Sequence, residues 1–198
     1  MSFRQMVLVT HRWIGLGSSI VLAIVGTSGA LLVTPGLPLR KYAGPIHQHL
    51  ALNQVGLGTL GWWIVVIATV LAVVLELGGL FLWWKRKLLK IRIARGWRQG
   101  LTDLHHLAGI VVFPIMFILA LSGVGMAAVT PKAHPQLRRV VFDLHTAKNF
   151  PMSAKLLYAL ATTGFLVQGV TGVVMWWSPK ASARSAGMPL TETDRYGR

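Results

Sequence analysis

A four-span, all-α membrane protein is the fold class that this sequence predicts, and three observations carry it. Of 198 residues, 54% are hydrophobic and only 13% charged, against about 25% charged in a typical soluble domain. Four apolar runs are each long enough to cross a bilayer, which takes roughly 20 residues. Landmark residues also recur in one order in the two halves of the chain, so the spans read as two parallel two-helix repeats. This composition excludes a disordered chain and argues against a soluble enzyme.

The first run extends from Ile14 to Val33, the second from Gly61 to Trp84, the third from Leu107 to Val129 and the fourth from Leu156 to Trp177. Leu, Ile, Val, Ala and Gly fill every face of each run, whereas a soluble helix keeps one face polar. Only helices satisfy an open backbone in lipid, so each run is expected to be helical. The first run has the position of a signal peptide, but its apolar core is too long and no convincing small-residue cleavage site precedes the polar stretch after Pro35. It is therefore read as a retained helix. Trp62, Trp63, Trp83, Trp84, Trp176 and Trp177 stand at span ends, as an interfacial aromatic belt does.

Lys and Arg total 20 against 5 Asp and Glu, a formal net charge of +15. The basic residues sit between apolar runs, so the expected partner is an anionic lipid surface, engaged by the 85–98 loop, and not nucleic acid. That loop carries Lys85, Arg86, Lys87, Lys90, Arg92, Arg95 and Arg98; Arg4, Arg12, Lys180, Arg184, Arg195 and Arg198 share its side. The positive-inside rule then puts both termini in the cytoplasm and loops 35–60 and 130–155 on the other side of a bacterial inner membrane. The tail 180–198 reads as a flexible terminus. With no cysteine in the chain, disulfides, thiolate-bound metals and covalently attached c-type haem are excluded, and the histidines become the candidate ligands.

Repeat one (about 7–86) holds His11-Arg-Trp-Ile-Gly15, Ser28-Gly29, Thr34-Pro35, His49 and Gly79-Leu-Phe-Leu-Trp83-Trp84. Repeat two (about 101–179) holds His105-His-Leu-Ala-Gly109, Ser122-Gly123, Thr130-Pro131, His145 and Gly172-Val-Val-Met-Trp176-Trp177. The His11/His105 offset of 94 drifts by a residue or two at later landmarks, as loop insertions would produce. Two spans per repeat insert both repeats the same way up, so the pseudo-twofold axis runs along the membrane normal. His11 then faces His105 at one end of the bundle, and His49 faces His145 at the other. Two histidines facing across an axis suit the two axial positions of one haem iron. The expectation is two b-type haems, one near each membrane face. Gly15, Gly109, Gly29 and Gly123 are the small positions that let a flat macrocycle approach the backbone. His106 competes with His105, and His47 with His49; the repeat favours His105 and His49. His134 reads as a loop residue. The fold-back of His49 and His145 onto the membrane face calls for short helices before the second and fourth spans. Glu76 is a carboxylate inside a span, where it is protonated or partnered, and Gln168 is a candidate partner at its level.

His11-Arg-Trp-Ile-Gly15, Leu104-His105 with Gly109, Leu144-His145-Thr146 and Thr171-Gly172-Val-Val-Met-Trp176-Trp177 together resemble the PepSY-associated transmembrane family, nearly to Pro179. That family includes inner-membrane reductases that release iron from ferric siderophores in the periplasm. The resemblance implies haem b, a four-helix core and electron transfer toward the periplasm, with His11, His105, His49 and His145 as ligands. Larger members carry a sizeable periplasmic domain, but loops 35–60 and 130–155 are short here. The resemblance therefore fits either a membrane ferric reductase or an electron-transfer subunit of a larger complex. No Gly-rich dinucleotide motif follows a strand, so the expected electron donor is quinol or a redox partner protein. Two other classes compete: a haem-free structural or assembly subunit, and a small transporter using Glu76.

Overall fold

The computed structural model describes residues 1–84 and 96–177. The tail expected at 180–198 and most of the basic 85–98 loop lie outside these residues. Among the described residues every regular element is a helix, in the order α1 (Phe3–Val33), α2 (Arg40–His49), a 3-10 turn (Leu52–Val55), α3 (Gly58–Trp84), α4 (Trp97–Ala128), α5 (Pro135–Thr146) and α6 (Met152–Trp177). By length and composition, α1, α3, α4 and α6 can each cross a membrane.

Local chemistry sets the boundaries. α1 starts eleven residues before the apolar run because Ser2 and Gln5 form a reciprocal capping box, Gln5 N donating to Ser2 Oγ and Ser2 N to Gln5 Oε1. It stops at Thr34, whose successor Pro35 cannot continue a helix. Pro135 opens α5, where its missing N–H costs nothing. α2 and α5 are the two short helices that the histidine positions called for. Each ends on a left-handed residue, Leu50 (φ 52°) and Ala147 (φ 49°). Inside the spans, hydroxyls bond back to the preceding turn: Ser18 donates to the Ile14 carbonyl, Thr69 to Val65 and Thr171 to Val167.

α1 packs on α3 and α6, and α4 packs on α3 and α6. The four spans thus form a closed ring with α1 and α4 on one diagonal and α3 and α6 on the other. α2 lies against α1 and α3, and α5 against α4, at the end opposite the N-terminus. The α1–α6 contact is the most extensive. There Gly26 lies so close to the Thr162 carbonyl that a Cβ would come within 2.7 Å of it. The position 94 residues later in α4 is Ala120, which is buried in a cluster with Ala68 and Ala72 of α3. Small residues set such close approaches where lipid supplies no hydrophobic drive between helices. Ile20, Val111 and Leu160 face outward, each about two-thirds exposed or more (73%, 66% and 67%). Outward apolar side chains are the expected lipid face of a membrane bundle.

Candidate functional site

Diagonal placement brings histidines together at both ends of the bundle. At the end carrying the N-terminus, His11 of α1 and His105 of α4 face each other with ring centres 6.5 Å apart and planes nearly perpendicular (88°). At the opposite end the facing pair is His47 of α2 and His145 of α5, with ring centres 5.9 Å apart.

The expected partner of His145 was His49, and the structure corrects this. Residues two apart on a helix point in widely different directions, so only one of the two can face the bundle. His47 does; His49 turns toward α3, with Nδ1 3.0 Å from the Gly58 carbonyl oxygen. Gly61 then supports the His49 backbone, because a Cβ there would run into the His49 carbonyl. At the other pair His105 stands opposite His11, as the spacing suggested, while the neighbouring His106 also lines the same cavity. His134 is the residue before α5 and caps it with no side-chain bond.

Three of the four facing rings are held through Nδ1. His105 Nδ1 lies 2.8 Å from Thr171 Oγ1. The Thr171 hydroxyl hydrogen is committed to the Val167 carbonyl, so the threonine accepts and the histidine donates. His47 Nδ1 donates to the Val25 carbonyl at 2.9 Å, with Ser28 Oγ at 3.4 Å. His145 Nδ1 lies 3.2 Å from both the Leu119 carbonyl and Ser122 Oγ. Each of these bonds leaves Nε2 with its lone pair, the arrangement by which proteins orient a metal-binding imidazole. His11 differs. Its Nδ1 is buried on the side of the Leu75 carbonyl without a formed hydrogen bond. The residue where α3 would supply a hydroxyl is Gly78, from whose Cβ direction His11 Nδ1 lies 3.5 Å.

Glycines make room for all four rings, and two of them, Gly29 and Gly123, are among the small positions singled out for a macrocycle. Gly29 abuts His47 and Gly123 abuts His145, at 3.1 and 3.3 Å from the ring Cε1 to an added Cβ. Gly79 does the same for His11 and Gly172 for His105, at 3.3 and 3.7 Å. Gly15 and Gly109 touch no histidine. They line the cavity beside His11 and His105, facing Leu75 and Gln168. Gly79, Gly172, Ser28, Ser122 and Thr171 all lay in the recurring motifs, but nothing in the spacing said which of them meets a ring.

Electrostatics at the α2/α5 end favour neutral imidazoles. Burial holds His47 below its ordinary value. Burial, and then the charges of His47 and Arg138, push His145 down to about 4.

The His11/His105 pair borders a cavity of about 450 Å³, within the range of roughly 300–1,000 Å³ usual for small-molecule and cofactor sites. Its walls include Leu22, Met116 and Phe165, and Arg4, Arg12 and Arg98 stand where it nears the bundle end. Glu76 also lines it, with both carboxylate oxygens buried and no hydrogen-bond partner among the described residues. Gln168, the partner expected for Glu76, instead donates its amide to the His105 carbonyl at 2.9 Å.

Among the described residues no three of His, Cys, Asp and Glu converge as they would on a bare metal ion. The donors come in opposed pairs. Two imidazoles bound to opposite faces of one metal, at about 2.0–2.1 Å per nitrogen, have ring centres roughly 6–6.5 Å apart. The His11/His105 pair, at 6.5 Å, has that spacing, and the His47/His145 pair, at 5.9 Å, is just short of it, so the residues fit a group ligated from two sides with a small outward shift at the second pair. The chain matches the PepSY-associated TM region family over residues 34–135, just over half of its length. That span contains His47 and His105. No curated protein and no solved structure matches the chain significantly.

Proposed function

The chain belongs to the PepSY-associated TM region family, and from that premise we propose that it is a haem b electron carrier of the bacterial inner membrane. Electrons pass from the cytoplasmic side to a periplasmic ferric or siderophore acceptor, or to a partner redox protein. The observation that carries this reading is the pair of opposed histidines at each end of the bundle, 6.5 and 5.9 Å between ring centres. When bound, haem b supplies a one-electron iron(III)/iron(II) couple.

In this reading His11 and His105 hold one haem, and His47 and His145 the other. Thr171, the Val25 carbonyl and the Leu119 carbonyl hold three of the rings through Nδ1, which would leave Nε2 to bind the iron when haem is present. Leu22, Met116 and Phe165 exclude water from the first site. Arg4, Arg12 and Arg98 suit the acidic edge of a haem at the cavity mouth. The internal repeat supports the symmetry: His11 and His105 occupy corresponding positions on the diagonal helices, and so do the glycines beside them. Cytoplasmic termini follow from the positive-inside rule, and the electron donor is quinol or a redox protein.

The test is a dithionite-reduced minus oxidised spectrum of the purified protein with haem quantified per chain. Two b-type haems are expected. His11→Ala and His47→Ala should each remove one, and His49→Ala neither. A colourless protein, after expression with ample haem, overturns the proposal in favour of a structural subunit.

A further inference from the structure

Glu76 is left over by the electron-carrier reading. It lines the cavity shared by His11 and His105, and both of its carboxylate oxygens are buried with no hydrogen-bond partner among the described residues. It stands three residues before Gly79 on α3, the glycine that abuts the His11 ring, and so on the same helix face about one turn away. The contrast with Asp103 is informative. Asp103 is also buried, at 2% exposure, but it accepts a bond of 2.7 Å from Gln99 Nε2. A carboxylate left without such a partner inside a membrane is costly, and such groups mark function.

The charged and titratable groups around the same cavity are Arg4, His11 and Arg12 from α1 and Arg98, His105 and His106 from α4. None bonds Glu76, and Gln168 of α6 donates its amide to the His105 carbonyl. Unpartnered in lipid, Glu76 would stay protonated unless positive charge in the cavity holds it ionised. Arg4, Arg12 and Arg98 and the oxidised, more positive state of the His11/His105 position supply that charge, so the charge state of Glu76 answers to the charge that appears there. That charge changes by one when an electron arrives between His11 and His105, and Coulomb interactions are strong where water is excluded. The cavity runs past Arg4 and Arg12, both exposed at the bundle end, which gives protons a route from bulk water.

We propose that Glu76 is a redox-linked proton site: it takes up one proton when the His11/His105 position gains an electron and releases it when the electron leaves. This rests on the haem reading above. The electron comes from a one-electron reductant and converts iron(III) to iron(II). The proton comes from water at the cavity mouth and forms an O–H bond on the carboxylate; no other bond forms or breaks. Electron passage through this end of the bundle is then coupled to proton uptake from the same side.

Potentiometric titration of the purified protein across the neutral pH range tests this, with His11→Ala identifying the haem that belongs to the pair. The midpoint of that haem should fall by about 59 mV for each tenfold drop in proton concentration, the one-proton, one-electron slope. Glu76→Gln should flatten the slope, and Glu76→Asp, which keeps a carboxylate, should retain it. The reduced-minus-oxidised infrared spectrum should show a protonated carboxyl band that Glu76→Gln lacks. A pH-independent wild-type midpoint, an unchanged slope in Glu76→Gln, or a missing carboxyl band overturns the proposal while leaving haem binding intact. Where Glu76→Gln fails to assemble, the wild-type slope and band decide. A wild-type protein without haem overturns both readings together.

Discussion

At the scale of single residues, the four rings are not all held alike, and the differences are testable. Thr171 accepts from His105 Nδ1, whereas the matching place beside His11 is Gly78. Thr171→Val should weaken haem retention at this site by about 10–100-fold, the usual cost of losing an outer-shell partner. Gly78→Ser should act in the opposite sense. A Cβ there meets only ordinary contacts at 3.5 Å and beyond, so the hydroxyl fits and can accept from His11 Nδ1. Haem titration of the two variants against wild type checks both signs. At the other end His145 stays neutral in the fold down to about pH 4, while an imidazole in an unfolded chain protonates near pH 6.5. The unfolded chain therefore binds the proton first, and stability falls as pH drops from about 6.5 toward 4. In the haem-free protein the denaturation midpoint should decline over that window, and His145→Asn should flatten the decline.

At the scale of elements, glycine decides how close the helices come. Gly26 lets α1 lie against the Thr162 carbonyl, and Gly61 lets α3 lie against the end of α2. An added methyl at either place meets backbone, which cannot swing aside as a side chain does. Gly26→Ala and Gly61→Ala should each cost about 1–3 kcal/mol, the range for overpacking. Gly17 has nothing within 4 Å of its Cβ direction, so Gly17→Ala should be neutral or stabilising by up to about 1 kcal/mol. Thermal unfolding of the three variants in one detergent separates the outcomes. If haem binds at His47/His145 as proposed, Gly61→Ala should also disturb its spectrum, because α2 carries His47 and rests on α3 there. α5 is tied differently: Arg138 donates to the Met126 and Val129 carbonyls at the end of α4, supplying acceptors that the helix terminus leaves open with a partner.

At the scale of the whole molecule, four apolar helices in a closed ring leave a lipid face all round and two polar ends. The bias of Lys and Arg predicts that the end carrying the N-terminus is cytoplasmic. The chain contains no cysteine, so single introduced thiols report cleanly. In intact spheroplasts Lys132→Cys should react with an impermeant maleimide, and Ser2→Cys only after the membrane is broken. The reverse pattern would invert the proposed direction of electron flow. Diagonal helices α1 and α4 each carry a histidine near one end and a Ser-Gly pair near the other, so a single helix pair serves both faces of the membrane.

The sequence by itself determined the number of spans, their helical character and the placement of histidines near both membrane faces. Those properties follow from hydropathy over runs of about 20 residues and from motifs that recur in order. It also carried the His11/His105 opposition, because both residues lie inside continuous helices where the register cannot slip. Only the tertiary structure decided between His47 and His49. The two lie on a short helix outside the spans, and the turns around Leu50 and Ala51, both left-handed, set its rotation. Loop lengths differ between the halves, so the repeat offset could not fix that rotation. The structure likewise decided which glycines seat the rings and that Gln168 bonds the His105 carbonyl in place of Glu76. These depend on which helix faces which across the bundle, a relation between segments distant in the chain that local patterning does not encode.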